Sequence, residues 1–389
     1  MIKIPGNLTI PKIQKLYYDL SLNNNSVVDV QLPKRIEKLD FGVFFSFLQF
    51  LATWIRKENS GKLCLPINSI EEAIHYLNDN EFVYPSIVLS WEKDIVDNNG
   101  NNIKKHLKTP SKQYYERMDY FELKGTSVPL YCFDHDKSDR GLSKHFYKNN
   151  RELVSEDVLG FNLYRAFQKI GFHNPSVFRK SIKESLNSFT SIIHELFSNT
   201  HEHAKTNELG FNLYPNIRAL QLKFHKKPIV KYIETYNNFN GLSDYFKSDF
   251  KVNESGDLYL IEISILDSGP GLVKRYKGVS TYNMSINEEV DIIKKCLYRH
   301  TTSTSSFRAE TKGIGLDRVL QTIDGRGFVR IKSGRVDIFR DMKSKRYFHH
   351  DNASDIQIYD WQTNSDVNFT VFPPAEGTLI SIFFPLDYQ

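Results

Sequence analysis

Glu195, Asn199 and His203 stand four residues apart in 194-HELFSNTHEHA-204. On a helix that spacing puts a carboxylate, an amide and an imidazole on one face. Such a stripe can organise magnesium, water and phosphate. Asparagine suits the metal because it is neutral and does not repel a triphosphate. Ordinary helices often carry the same spacing, so it gains weight only from its company. Asp267 closes the run 258-LYLIEISILDSGPGL-272, where Tyr259, Ile261, Ile263 and Ile265 alternate as in a strand. A carboxylate there can accept a hydrogen bond from an adenine amino group. Gly269 and Gly271 permit a tight turn with close ligand approach, although a plain β-turn has the same pattern. In 312-KGIGLDRVL-320, Gly313 and Gly315 expose backbone N–H groups at a helix start, which favours phosphate. Leu316, Val319 and Leu320 anchor that helix. Neither GxxxxGKS nor GxxxxGKT occurs, so this is not a Walker A loop. The preceding 301-TTSTSSFRAETK-312 is rich in small polar residues, as a lid over phosphate would be. Arg308 and Lys312 could contact phosphate there or be ordinary solvated charges. Finally, 376-EGTLISIFFPL-386 alternates as a last strand.

Taken in this order, 194–204, 267–271, 312–316 and 376–379 resemble the nucleotide pocket of the GHKL ATPase/kinase superfamily. The resemblance covers roughly residues 180–386 and rests on the combination. It implies a Bergerat-type α/β sandwich with a mixed sheet, binding ATP with Mg2+. The first segment is similar to the N-box, which makes Asn199 the magnesium ligand and Glu195 the general base toward water. His203 matches a polar position near the triphosphate. His201 is rotated away, and His194 belongs to the same helix rather than to a phosphoacceptor box. Asp267 would read adenine, with Gly269 and Gly271 shaping the base pocket. Lys312, Gly313, Ile314, Gly315 and Leu316 match the second glycine box, after a lid containing Arg308. Thr378 resembles the terminal Gly-Thr feature that joins the adenine hydrogen-bond network.

These residues need elements to position them. Ile182, Leu186, Phe189, Ile192, Ile193 and Leu196 trace one side of a helix over 180–204. The boundary before it falls between about 160 and 176. This divides the chain into an α/β domain, 1–165, and an ATP-binding domain, 166–389. In the first, 26-SVVDVQL-32 reads as a strand ended by Pro33, and 41–56 as a buried amphipathic helix. A strand over 62-KLCLPI-67 follows, then a helix 70–79 capped by Ser69. Strand, helix, strand, helix suggests a small sheet covered by helices. The Asn- and Lys-rich stretch 91–110 reads as an exposed excursion. Residues 114–125 read as a helix ending near Gly125. Its MDYF run resembles STAS-like N-terminal regions of bacterial stand-alone ATPases. That implies regulation or partner binding, against the plainer reading of a support domain. Asp134, His135, Asp136 and Asp139 could hold a metal, but such clusters in polar loops are usually solvated.

With 40% hydrophobic and 25% charged residues, the 389-residue chain can build globular cores and is not a disordered one. A net charge of +5 is mild and does not by itself identify a nucleic-acid partner. Cys64, Cys132 and Cys296 give no disulfide framework and no CxxC metal pattern, which fits a reducing cytoplasmic setting. The N-terminus lacks the order of a secretory signal, and 43-VFFSFLQFLATWI-55 is too short to span a bilayer. The leading expectation is an ATPase working as a conformational switch in a bacterial regulatory or antiviral defence assembly. It would act with a protein partner or as a homodimer. No further domain follows the last motif, which argues against full topoisomerase or repair activity. Two alternatives stay open: a soluble histidine or serine kinase acting on a separate protein, and a nucleotide-sensing module with little turnover.

Overall fold

A computed structural model describes residues 1–23, 26–37, 39–136, 141–149, 151–171, 178–278, 283–298, 315–348 and 352–386. The chain is α/β, with two separate sheets. The first is parallel, in the order β1 (Ile2–Lys3), β2 (Val28–Gln31), β3 (Ser60–Cys64) and β4 (Ile95–Val96). Parallel neighbours need crossovers, and helices supply them. Helix α1 (Ile10–Leu22) joins β1 to β2, and α2 (Val43–Ile55) joins β2 to β3. Helices α3 (Ile70–Asp79) and α4 (Val83–Leu89) join β3 to β4. Ser69 caps α3 as expected, its hydroxyl accepting from the Glu72 amide at 3.1 Å.

Three expectations for this region need correction. Helix α2 is not amphipathic: all of its residues are buried. It packs against both β3 and the second sheet, so no face is left for water. Several of its polar groups bond inside the protein, while the buried Gln49 side-chain oxygen has no hydrogen-bond partner. Ser46 accepts from Arg330, the Gln49 amide donates to the Lys332 carbonyl, and the Trp54 indole donates to the Val28 carbonyl. The stretch 91–110 is not simply an excursion. Ile95 and Val96 form β4, while the Asp97 carboxylate accepts from the Asn99 and Asn101 amides and folds the Asn-rich part into a turn. Helix α5 (Lys108–Asp119) starts and stops earlier than 114–125, and just beyond its end Phe121 leaves helical geometry at φ 59°.

The second sheet has seven strands, β5 (Ser127–Cys132), β6 (Arg218–Pro228), β7 (Asp257–Asp267), β8 (Phe328–Gly334), β9 (Val336–Asp341), β10 (Tyr359–Asp360) and β11 (Ala375–Pro385). Their spatial order is β10-β9-β8-β11-β7-β6-β5. Every pairing is antiparallel, so the sheet is not mixed. Each neighbour enters from the opposite end; β8 and β9, for example, form a hairpin through Gly334 at φ 57°. β5 lies within the 1–165 segment of the sequence division, yet it is the edge strand of this second sheet.

Alternation along the strands gives the sheet two unlike faces. Leu220, Leu222, Ile261, Ile263, Ile265, Ile380 and Ile382 form an apolar face under α6 (Glu156–Gly171) and α7 (Lys183–His203). There Phe189 of α7 meets Phe384 edge-on at 4.8 Å. The opposite face mixes buried polar groups with apolar ones such as Phe328 and Phe383, and α2 packs on it. Glu262 accepts from the Gly42 amide at 2.8 Å and pairs with His225, while Arg330 pairs with Asp337 at 2.6 Å. The remaining α-helices among the described residues are α8 (Ile229–Thr235), α9 (Asn240–Phe246), α10 (Leu272–Lys277), α11 (Ile286–Leu297) and α12 (Gly315–Thr322). Among the described residues no helix is long and apolar enough to cross a membrane.

Candidate functional site

The second sheet aligns two of the sequence candidates, Asp267 and Thr378, on one cross-strand row with Ser333 and Arg218. Ser333 of β8 is in register with Thr378 of β11, Thr378 with Asp267 of β7, and Asp267 with Arg218 of β6. Asp267 ends its strand on the apolar, α7-covered face. Its carboxylate accepts from the Gly269 amide at 2.8 Å and from the Thr378 amide. Burial pushes the carboxyl up to about 6; the two amides, then Arg56 and Arg218, pull the other way. Asp267 is therefore an ionised acceptor at neutral pH that is costly to leave without further partners.

Close backbone approach explains the glycines. A Cβ on Gly377 (φ 71°) would lie 1.9 Å from the Asp267 carbonyl oxygen, so only glycine lets β11 pass there. A Cβ on Gly269 would lie 2.7 Å from Cα of Ala204, the residue that ends α7. Gly271 sits at φ 82° and starts α10, whose Leu272 amide donates to the Ser333 hydroxyl at 2.9 Å. The hydroxyls of Ser333 and Thr378 are 3.2 Å apart. Thr378 is thus tied into the same row as Asp267.

Helix α7 runs away from this row. Its Phe189, Ile192, Ile193, Leu196 and Phe197 are buried, and Leu186 is half-buried. Glu195, Asn199 and His203 form a half-buried stripe beside that core. At 1.5 Å per residue they step along the axis by about 6 Å each. His203 lies next to the Asp267 turn and Glu195 is farthest from it. The stripe therefore leads away from the Asp267 turn along the helix axis. His203 Nε2 lies 4.0 Å from Glu202. His201 faces elsewhere, as the helical spacing implies. Its Nδ1 is 2.8 Å from the Tyr147 hydroxyl, with Lys205 at 3.2 Å from Nε2. Burial first, then Lys205 and Arg218, push its imidazole down to about 4, so it is neutral at pH 7.

Helix α12 packs directly on α7. Gly315 opens it and Leu316 packs against the core, which puts the end of the 312–316 segment beside α7. Arg318, one turn on, donates to Glu195 at 3.0 Å and lies 3.7 Å from Glu156. Arg308, Lys312, Gly313 and Ile314 lie outside the described residues.

Sequence reading missed several participants. Arg56, Asn216, Ser268 and Glu376 surround the Asp267 turn from its far side, and Arg318 holds Glu195. Ser268 and Glu376 adjoin motif residues and could have been noticed. Arg56 carries no local signal, since its partners lie 212 and 320 residues away. Asp134 pairs with Arg218 through two hydrogen bonds, and the Asn216 side chain also donates to it. Among the described residues no group of three or more His, Cys, Asp or Glu side chains could hold a metal, and Asp139 of the same stretch lies outside the described residues. Asn199 alone could still serve magnesium, which keeps several waters and takes one or two protein ligands plus phosphates. Compared with known proteins, the chain matches no family model, no curated protein and no solved structure.

Proposed function

We propose that this chain binds magnesium-ATP in a Bergerat-type sandwich and hydrolyses it, using the cycle as a conformational switch in a cytoplasmic regulatory or defence assembly. One observation carries the reading. Segments far apart in sequence converge at one sheet end: Asp267 registers with Thr378, Gly269 touches the end of α7, and α12 lies along α7. In this reading Asp267 accepts from the exocyclic amine of adenine, and Gly269, Gly271 and Gly377 leave room for close approach. Asn199 would hold magnesium, whose charge offsets that of the phosphates. Glu195 takes the proton from water once Arg318 has released it.

The Glu195–Arg318 pair also favours a second reading, a nucleotide sensor whose turnover is low until a partner opens the pair. Purified protein with magnesium and γ-labelled ATP separates the two. Hydrolysis releases free phosphate. Glu195→Gln should cut the rate by about 10²–10⁴-fold while leaving binding nearly intact. Equal turnover in that variant removes Glu195 from the mechanism. Binding without release by the wild type favours the sensor.

A further inference from the structure

We propose that Arg56, at the end of α2, is a positioning residue for the base pocket, so that the nucleotide site extends into the N-terminal region. This inference rests on the ATP-binding reading and adds a part to it. The Arg56 guanidinium reaches three acceptors on separate segments: Glu376 Oε2 at 3.0 Å, the Pro215 carbonyl at 3.1 Å and Ser268 Oγ at 3.2 Å. Glu376 precedes Gly377, the residue that passes against the Asp267 carbonyl. Ser268 follows Asp267 directly. One cation therefore holds both chain segments that frame the Asp267 carboxylate.

Each partner is fixed in turn. The Glu376 amide donates to Thr53 on the preceding turn of α2 at 2.9 Å. Buried Ser268 accepts from the Ile217 amide at 2.9 Å and donates to Asn216 at 2.7 Å. Packing alone does not call for an arginine here. Helix α2 is already buried along its whole length, and an apolar side chain would avoid desolvating a cation. The Arg56 side chain is only 11% exposed, and its Nε has no hydrogen-bond partner. A cation kept there at a solvation cost indicates a requirement for its charge and its fork geometry.

The charge acts on Asp267 as well. The groups that surround this carboxyl are Arg56 with its partner Glu376, and Arg218 with its partner Asp134. Both arginines favour ionised Asp267 and oppose the effect of burial. Removing Arg56 should raise the pH at which Asp267 protonates and let the turn drift from β11.

The test is magnesium-ADP binding by calorimetry from pH 5 to 8, with full-length wild type, Arg56→Met and Arg56→Lys. Wild-type affinity should fall as pH drops below about 6. Arg56→Met should weaken binding about tenfold at pH 7, the scale of one charge-assisted hydrogen bond, and move the midpoint upward. Arg56→Lys should hold the midpoint near the wild-type value while recovering only part of the affinity, because lysine restores the charge and not the fork. If Arg56→Met does not fold, Glu376→Gln, which keeps shape and removes the charge partner, should weaken binding in the same direction. Unchanged affinity and midpoint in Arg56→Met, or in Glu376→Gln where that variant stands in, overturn this inference and leave the ATP reading intact. No nucleotide binding by the wild type overturns both.

Discussion

The two ends of the proposed nucleotide site, a base end at Asp267 and a phosphate end at Glu195, are built differently. At the base end, strands cross so closely that glycine is required, and Asp267, Thr378 and Ser333 are held on one row of a buried sheet. At the phosphate end, a single helix face carries Glu195 and Asn199. An exposed arginine from α12 reaches across to it. The base end is determined by backbone packing, which has one arrangement. The phosphate end is determined by side chains, which can exchange partners. The proposed switch would use both: a rigid anchor for the ligand and a contact that ligand binding can break.

The strongest challenge to this contrast is Gly377→Ala. It adds a Cβ that would clash with the Asp267 carbonyl at a positive φ. Unfolding by urea should show a loss of more than about 2 kcal/mol, and nucleotide binding should vanish. A wild-type-like variant would mean that the base end is not rigid.

Asp267→Asn should separate binding from stability. It replaces an ionised acceptor with an amide, and magnesium-ADP affinity should fall by about 10- to 100-fold. The sign for the empty protein is opposite. Burial raises this carboxyl from its ordinary range to about 6, so its contribution to stability is full at low pH and is lost as pH rises through about 6. Asparagine removes that loss. The melting temperature at pH 8 should therefore rise, by about 2–4 °C, while the gain disappears at pH 4. A drop in melting temperature at pH 8 would show that the ionised carboxylate is fully satisfied without ligand.

Arg318→Ala tests the phosphate end of the proposed site. Exposed ion pairs are worth at most about 1 kcal/mol. Freeing Glu195 should raise basal phosphate release by no more than about fivefold, with melting unchanged within about 1 °C. Slower release would instead make Arg318 a contact to the phosphates.

The smallest effect is expected at His201, which faces away from the stripe toward Tyr147. Its imidazole is pushed down to about 4 from an ordinary value near 6.5. A depressed histidine contributes stability above about pH 6.5 and loses it as pH falls toward 4. His201→Gln should flatten the wild-type loss of stability across that window in acid-dependent melting. The same slope in both proteins would show that His201 does not titrate there.

Much of the frame was legible from sequence because it depends on local pattern. Strands over 26–32 and 258–267, the Ser69-capped helix and the last strand over 376–386 all follow from alternation, caps and breakers, and all appear. The face of α7 bearing Glu195, Asn199 and His203 follows from helical spacing alone. The all-antiparallel sheet does not, since strand order is settled by which distant segments pair. Nor does the burial of α2 on all sides, which needs two sheets to close on it.

The sequence alone determined where the chemistry-bearing side chains stand on their own elements: a polar stripe on a helix, a carboxylate at a strand end, glycines at turns. These are set within a few residues by backbone geometry and hydrophobic period. Tertiary structure alone decided what those side chains meet. It brought Thr378 into register with Asp267, set Arg318 against Glu195, and carried Arg56 from the N-terminal region to the turn after β7. Such contacts join residues more than a hundred positions apart. Only burial of shared surface selects them, and no local pattern encodes the pairing.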